Sequence, residues 1–422
     1  MKKNNQKIGC QQNLLHPDKD LLAILEYLCG EANKVFNCSV YLARQIWFKE
    51  HRFMGRAELC RSMKWNRHFG AMYASSAQQI CNGVVESFKS FKELLSLFKK
   101  GKLEFKPKPP KYRKQGLFTV SYPKKWLKLT EKGIRVPLGL KVKAWFGIDS
   151  FYVPMAKNLD WDSIKEIRIL PRNSCFYAEY VYGVTEQPKE LDTGHALSID
   201  HGLDNWLTCV DTQGHSFIID GKPIKSKNQW YNKRVAILKE GKPQGFWSKQ
   251  LAALTEKRNR QMRDAINKAA RIVIDHCLKY KIGKIVLGWN EGQKQSIKLG
   301  GKINQEFVLI PTARLKNRIK QLSDLYGIQF IETEESYTSK ASFLDGDFIP
   351  TYGEKPDNWK PSGKRIKRGL YQSDAGWLIN ADCNGAANIL RKVARRFEID
   401  LSRLGSGALT TPLRVRFSAK RT

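Results

Sequence analysis

From Asp18 to about Leu97 apolar residues return every three or four positions, in "LLAILEYLCGEANKVFNCSVYLARQIWF" and again in "SSAQQICNGVVESFKSFKELLSLF". That spacing lines one face of a helix, so a helical unit is predicted here. From "LFTVSYPKKWLKLTEKGIRVPLGLKVKAWF" to "SIKEIRILPRNSCFYAEYVYGV" short β-rich runs alternate with turn residues, the pattern of a small barrel or sandwich. From His195 onward the pattern becomes α/β. "ALSIDHGLDNWLTCVDTQGHSFIID" predicts two or three paired strands, and a long polar helix pair follows from about Lys225 to Tyr280. "GKIVLGWN" reads as a short buried strand, "PTARLKNRIKQLSDLYG" as a helix, "IQFIETE" as a strand and "NADCNGAANILRKVARRF" as a closing helix that Asn380 or Asp382 caps. After about Leu404 the chain is basic and rich in Gly and Thr, a loose tail.

Charge changes the picture. The chain holds 74 Lys and Arg against 40 Asp and Glu, a net charge of +34 over 422 residues. Such an excess supplies the phosphate-neutralising part of nucleic-acid binding, without separating DNA from RNA. It is densest between the helical and β-rich segments, where eight of the sixteen residues from Lys99 to Lys114 are Lys or Arg. Pro107, Pro109 and Pro110 block a helix there, while Phe105 and Tyr112 interleave with the cations. An extended strap results, with Lys106, Lys108, Lys111, Tyr112, Arg113 and Lys114 as candidate nucleic-acid contacts. Within the helical unit Arg44, Gln45, Trp47 and Phe48 read either as a nucleic-acid face or as core aromatics beside solvated polar groups.

With 41% hydrophobic residues the chain can bury a sizeable core. No apolar run approaches the ~20 residues of a membrane span, and the first residues lack the apolar stretch of a secretory signal, so the expectation is a cytoplasmic protein without a membrane partner. Nine cysteines are scattered singly with no Cys-x-x-Cys, and the seven histidines do not cluster with them. Neither a disulfide framework nor a zinc site is readable.

Against this basic background the scarce acids stand out. Asp200 ends an apolar strand in "ALSIDHGLDN", and Asp382 lies where a helix begins, beside the small residues Gly385, Ala386 and Ala387. With a third carboxylate they suit a pair of Mg²⁺ ions, which take oxygen ligands and serve phosphodiester hydrolysis. By spacing alone, a strand-end Asp is equally a turn residue and an Asp before a helix equally a cap.

"SIDHGLDNWLTCVD", "YTSKAS", "GKRIKRGLYQS" and "INADCNGAANILRK" resemble the nuclease half of TnpB, the OrfB-type protein of insertion sequences related to compact type V CRISPR effectors. The likeness covers about Leu197 to Val393 through these motifs, and the whole chain more loosely. It implies a multidomain α+β protein: a helical recognition unit inserted in a β-barrel wedge domain, then a ribonuclease-H-like (RuvC) α/β nuclease domain carrying a degenerate zinc-ribbon-like insertion. The corresponding boundaries are 1–17 for the first wedge strand, 18–115 for the recognition unit with its strap and 116–192 for the wedge. The nuclease domain follows at 193–340, the insertion at 341–377, the last nuclease motif and helix at 378–403 and the basic tail at 404–422. The implied activity is Mg²⁺-dependent, RNA-guided DNA cleavage in a prokaryotic cell. A guide RNA, derived from a transposon end or of CRISPR type, pairs with double-stranded target DNA next to a short flanking motif. Lys364, Arg365, Lys367 and Arg368 in "GKRIKRGLYQS" join the candidate nucleic-acid contacts.

Two departures qualify the resemblance. Gly288 stands where the family's second motif places a catalytic Glu. At the four cysteine positions of the family's zinc element stand Ser342, Asp345, Gln372 and Ala375, although Gly346 and Gly376 are kept, so no zinc is expected and the element must hold itself together by other means. "GIQFIETEESYTS" offers a replacement acid. Asp200, Glu335 and Asp382 are the expected catalytic and metal-binding set, with Glu334 as the competing choice for the third position. The alternative is a nuclease-dead, RNA-guided DNA-binding repressor; a DNA-strand transferase is disfavoured because nothing resembles a Tyr nucleophile paired with two metal-binding histidines.

Overall fold

The computed structural model describes residues 7–290 and 311–416. The start of the expected first wedge strand, the middle of the expected nuclease domain at 291–310 and the end of the basic tail lie outside the described residues. The chain divides into two compact units, Met1–Thr185 and Glu186–Thr422.

In the first unit, strand β1 (Lys7–Leu14) runs antiparallel to β7 (Cys175–Val184), with Lys7 opposite Val184 and Leu14 opposite Tyr177. The helices α1 (Lys19–Glu50), α2 (Arg56–Met63), α3 (Arg67–Gly70) and α4 (Ala74–Lys99) therefore interrupt one sheet between its first strand and β2 (Val120–Pro123). Asp18 starts α1 by accepting a 2.8 Å hydrogen bond from the Leu21 backbone N–H. The three-and-four periodicity is realised as Ile24, Leu25, Leu28 and Ala32 on α1 and Ile80, Val84 and Phe88 on α4, all fully or nearly fully buried. With β6 (Ile164–Arg172), β1, β7 and β2 form a four-stranded sheet ordered β1-β7-β6-β2. Strands β3 (Lys128–Thr130), β4 (Gly133–Pro137) and β5 (Ser150–Val153) form a second, three-stranded sheet, with the short helix α5 (Leu140–Phe146) between β4 and β5. Where the sequence predicts a barrel or sandwich, these two antiparallel sheets share one core with the helices, through Val120, Ile134, Val153 and Ile167.

The strap from Lys100 to Thr119 has no helix or strand, as its prolines require. It is fastened to α1. Arg44 donates a 3.0 Å hydrogen bond to the Pro110 carbonyl, and Asn37 both accepts from the Arg113 backbone N–H at 2.8 Å and donates to the Arg113 carbonyl at 3.0 Å.

The second unit is built on a six-stranded sheet. Strands β8 (Asp192–His201), β9 (Asn205–Asp211) and β10 (Ser216–Asp220) form an antiparallel meander. Strand β11 (Ile282–Gly288) joins β8 in parallel, β12 (Gln329–Thr333) joins β11 in parallel, and β16 (Leu413–Val415) runs parallel to β10. Helices α6 (Lys222–Lys239) and α7 (Lys249–Lys279) link the meander to β11, and α8 (Thr312–Tyr326) precedes β12. One sheet face packs Leu197, Ile199, Ile285 and Leu287 against Ile266, Val273 and Ile274 of α7 and Leu315 and Ile319 of α8. The other packs Ala196, Val210 and Val286 against Ala386, Ala387, Ile389 and Leu390 of α9 (Ala381–Ala394). The period-two alternation of β8 and β11 thus feeds two helical layers, which is why "KIVLG" is apolar at nearly every position.

The expected insertion carries a small sheet of β13 (Lys364–Lys367), β14 (Leu370–Gln372) and β15 (Leu378–Asn380). A carboxylate links its two turns. Asp345 accepts hydrogen bonds from the Asp374 backbone N–H at 2.7 Å, the Ala375 N–H at 3.4 Å and the Ser362 hydroxyl at 3.1 Å. Asp347 accepts from the Ser342 backbone N–H at 2.7 Å and the Ser362 N–H at 3.1 Å. Burial pushes the Asp345 carboxyl up, but the Ser342 hydroxyl, the Asp374 and Ala375 backbone N–H groups and the Ser362 hydroxyl together outweigh it and hold the group below its ordinary value.

Candidate active site

Asp200 sits near the carboxyl end of β8, opposite Thr208 of β9, and Asp382 in the first turn of α9. Asn380 caps that helix, accepting from the Asp382 and Cys383 backbone N–H groups at 3.0 and 3.1 Å, so the Asp382 carboxylate has other partners. Asn205, at the start of β9, donates to Asp382 Oδ2 at 2.5 Å, and Arg365 of β13 donates to Asp382 Oδ1 at 3.3 Å. The two aspartates come together because α9 presses closely on the strand. A Cβ at Gly385 would lie 3.0 Å from Asp200 Oδ2, so a side chain there would push the Asp200 carboxylate aside by a few tenths of an ångström.

The third acid comes from beyond β12. That strand ends at Thr333, one residue short of the run "IQFIETE" read as a strand, so Glu334 and Glu335 fall in irregular backbone before the turn at Ser336. They still diverge. Glu334 pairs with the Lys392 ammonium of α9 and accepts from the Ser336 backbone N–H at 2.9 Å; burial raises its carboxyl, but Lys392 and Ser336 outweigh this and hold it below the ordinary value. Glu335 turns toward the end of β11. Its backbone N–H donates to Asn290 Oδ1 at 3.1 Å, Asn290 Nδ2 donates back to Glu335 Oε1 at 3.4 Å, and His201 Nδ1 is 3.6 Å from Glu335 Oε2. His201 stacks on Trp289 at 5.3 Å between centroids, and the Lys316 ammonium lies 4.1 Å over that indole.

Gly288 explains the position of Glu335. A Cβ built on Gly288 would meet Glu335 Oε2 at 2.9 Å and Glu335 Cβ at 3.2 Å, so the Glu335 side chain fills the volume into which a residue at the end of β11 would project. Burial, then the negative charges of Glu335 and Asp382, push the Asp200 carboxyl well above its ordinary value, with Arg365 opposing. Two further carboxylates thus lie beside the buried Asp200 carboxyl, a donor set of hard oxygens that suits Mg²⁺. Asn205, Asn290 and Arg365 are parts of the site that sequence reasoning did not assign to it. Asn205 lies within the motif that supplied Asp200, but nothing local says that its amide reaches a helix 177 residues away.

Of the basic candidates, Arg365 and Arg368 face acids: Arg368 donates to Asp204 at 2.5 Å, which places the β13 hairpin beside the carboxylate cluster. Lys364 and Lys367 are exposed on the same strand. In the first unit Arg44 of α1 lies 5.3 Å over Tyr112, and Arg113 donates to Asn33 Oδ1 of α1 at 3.2 Å and lies 5.9 Å over Phe36, so these arginines fasten the strap. Lys106, Lys108, Lys111, Tyr112 and Lys114 are exposed, and Gln45 is half-buried. Trp47 packs on Phe53 with centroids 4.7 Å apart and so belongs to the core, whereas Phe48 is exposed.

Residues 179–292 match the OrfB_IS605 family model, described as a probable transposase. No curated protein matches the chain. Among solved structures the chain is similar to the Cas12f1 of a complex with sgRNA and target DNA, with a TM-score of 0.53 at 16% identity over 88% of this chain and 83% of that one. It is also similar to the mini-RNA-guided endonuclease CRISPR-Cas_phi3, with a TM-score of 0.44 at 11% identity over 97% of this chain and 93% of that one. The likeness to TnpB read from the motifs is thereby joined by a family match that overlaps its first part, including the Asp200 motif, and by a multidomain α+β fold shared with a compact Cas12 effector.

Proposed function

We propose that this chain, with its OrfB-type segment, is an RNA-guided DNA endonuclease that pairs a guide RNA with double-stranded target DNA beside a short flanking motif and hydrolyses phosphodiester bonds in a RuvC-type, two-metal site. The observation that carries the reading is the placement of Glu335 Oε2 2.9 Å from a Cβ on Gly288: a carboxylate occupies the strand-end volume although the strand-end residue has none. The strand order β12-β11-β8-β9-β10, an antiparallel meander extended by two parallel strands, supports the ribonuclease-H-like reading.

Asp200, Glu335 and Asp382 would hold the Mg²⁺ ions. Asn205 and Arg365 orient Asp382, and Asn290 fixes Glu335 through its backbone and carboxylate together. The ions, when bound, supply activation of a water and stabilisation of charge on the leaving oxygen. Arg365, Arg368 and their neighbouring lysines present positive charge at the rim of an acidic cluster, which draws a phosphate backbone toward carboxylates that would otherwise repel it. The insertion is proposed to hold no zinc, with Asp345 joining its turns by hydrogen bonds instead.

The test is guided cleavage beside guided binding. Asp200→Ala abolishes Mg²⁺-dependent cutting while leaving guide and target binding within a few fold, because binding rests on the basic surface. Equal loss of both would make Asp200 structural, and binding without cutting in the parent protein would favour the repressor alternative.

A further inference from the structure

On the α7 side of the sheet, three metal-ligating side chains converge that the nuclease reading does not use. Asp211 ends β9, His215 stands in the turn before β10, and His276 lies in the last turn of α7. One ligand atom from each lies within 4.8 Å of the others. The sheet separates this cluster from the nuclease carboxylates: Asp211 pairs with Leu197 and Asp200 with Thr208, three residues or roughly 10 Å along the strands, and Leu197 packs toward α7 whereas Asp200 lies against Gly385 of α9 on the opposite face.

We propose that Asp211, His215 and His276 form a second metal site, for a borderline divalent ion such as Zn²⁺ or Co²⁺, that pins the β9–β10 turn to the end of α7. The donor atoms point at a common place. His276 Nε2 is 2.7 Å and His215 Nδ1 3.0 Å from the same oxygen, Asp211 Oδ2. Ligands of a tetrahedral zinc at bond lengths near 2.0–2.1 Å stand about 3.3 Å apart, so the two Asp–His spacings of 2.7 and 3.0 Å need to widen by only about 0.6 and 0.3 Å. The other carboxylate oxygen, Oδ1, accepts from the Gln213 and His215 backbone N–H groups at 2.9 Å each, which fixes the carboxylate and leaves Oδ2 directed at the imidazoles.

The rings are held as well. His215 stacks on Tyr280 with centroids 4.1 Å apart, and His276 packs against Phe217 at 4.8 Å and Tyr280 at 4.7 Å. Two imidazoles and one carboxylate favour a transition ion over Mg²⁺, which prefers all-oxygen shells. Asp211 is fully buried while the His215 side chain is 41% exposed, so three protein ligands face an edge from which the ion enters and where water completes the shell. This site is separate from the cysteine positions of the insertion, and it revises the expectation of a protein without zinc.

The experiment uses the full chain carrying Asp200→Ala and Asp382→Ala, so that the nuclease carboxylates cannot account for bound metal. After dialysis against Zn²⁺ and removal of excess, the chain retains about one ion, its thermal midpoint rises by several degrees, and Mg²⁺ at the same concentration has no such effect. Co²⁺ gives a visible absorption band with the same stoichiometry. Adding His215→Gln, at the exposed edge where folding is least disturbed, removes the ion, the band and the rise in midpoint; His276→Gln does the same as a second variant. No retained ion and no change in midpoint would reduce the cluster to hydrogen bonds and overturn the proposal. Retention and stabilisation that persist in both histidine variants would place the ion elsewhere and overturn it equally.

Discussion

Glu334 and Glu335 are adjacent, chemically identical and separated only by what surrounds them. Glu334 is neutralised by Lys392, whereas Glu335 reaches the volume beside Gly288 and raises the Asp200 carboxyl. Glu335→Gln keeps size and removes charge, and the expected outcome is loss of Mg²⁺-dependent cleavage by at least about a hundredfold, the scale of losing a group that acts in the transition state. Glu334→Gln is expected to cut normally and to lose stability, because Lys392, whose side chain is only 8% exposed, would be left without its carboxylate. Cleavage rates and chemical denaturation of the two variants separate these roles. Loss of cutting in Glu334→Gln alone would move the assignment by one residue.

Strand β11 and helix α9 meet where neither can be altered alone. A Cβ at Gly288 would come within 2.6 Å of Ile389 Cδ1 as well as 2.9 Å of Glu335 Oε2. Gly288→Ala is therefore expected to destabilise the chain by about 1–3 kcal/mol, the usual cost of overpacking. Ile389→Val removes the offending methyl, so the double variant should recover part of that stability while still disturbing Glu335; urea unfolding beside cleavage assays measures both. The insertion has its own elementary contact in Asp345. Its carboxyl lies below the ordinary value when folded, so its contribution is present above the unfolded-state value near 3.9 and is lost as pH falls through the lower folded-state value. Asp345→Asn should lower the thermal midpoint near neutral pH, and the difference from the parent should shrink as pH drops below about 4. A difference independent of pH would show that the charge is not what joins the two turns.

Across the whole molecule the net charge of +34 over 422 residues sets how binding responds to salt. Each neutralised phosphate steepens the fall of log K against log salt by about 0.9 for duplex DNA and 0.7 for a single strand. Changing Lys106, Lys108 and Lys111 together to Ala should reduce the slope for nucleic-acid binding by roughly two to three if the exposed strap lysines touch phosphates. The fastening of the strap by Arg44 and Asn37 should survive, since neither contact uses those lysines. An unchanged slope would make the strap a connector only. Among the described residues no helix is long and apolar enough to cross a membrane.

What the sequence determined by itself was local: the helical face of "LLAILEYLCGEANKVFNC", the proline-blocked strap, the paired strands between Ala196 and Asp220, the buried run of β11 and a cap at the start of α9, by Asn380 or Asp382. These follow from periodicity, ring constraints and capping chemistry, all properties of neighbouring residues. The resemblance of short motifs selected Asp200 and Asp382, and the acid-rich stretch after β12 put Glu335 ahead of Glu334 for the acid missing at Gly288. Only the tertiary structure decided that Glu335 enters that volume while Glu334 turns to Lys392, because β12 ends at Thr333 and the irregular backbone after it, not strand alternation, aims the two side chains. It also decided that Asp345 bridges two turns about 30 residues apart and that His276 meets Asp211 across 65 residues. Contacts of this kind depend on which sheet edge and which helix end meet, and that is settled by the packing of two helical layers on one sheet and left unwritten in any single stretch of the chain.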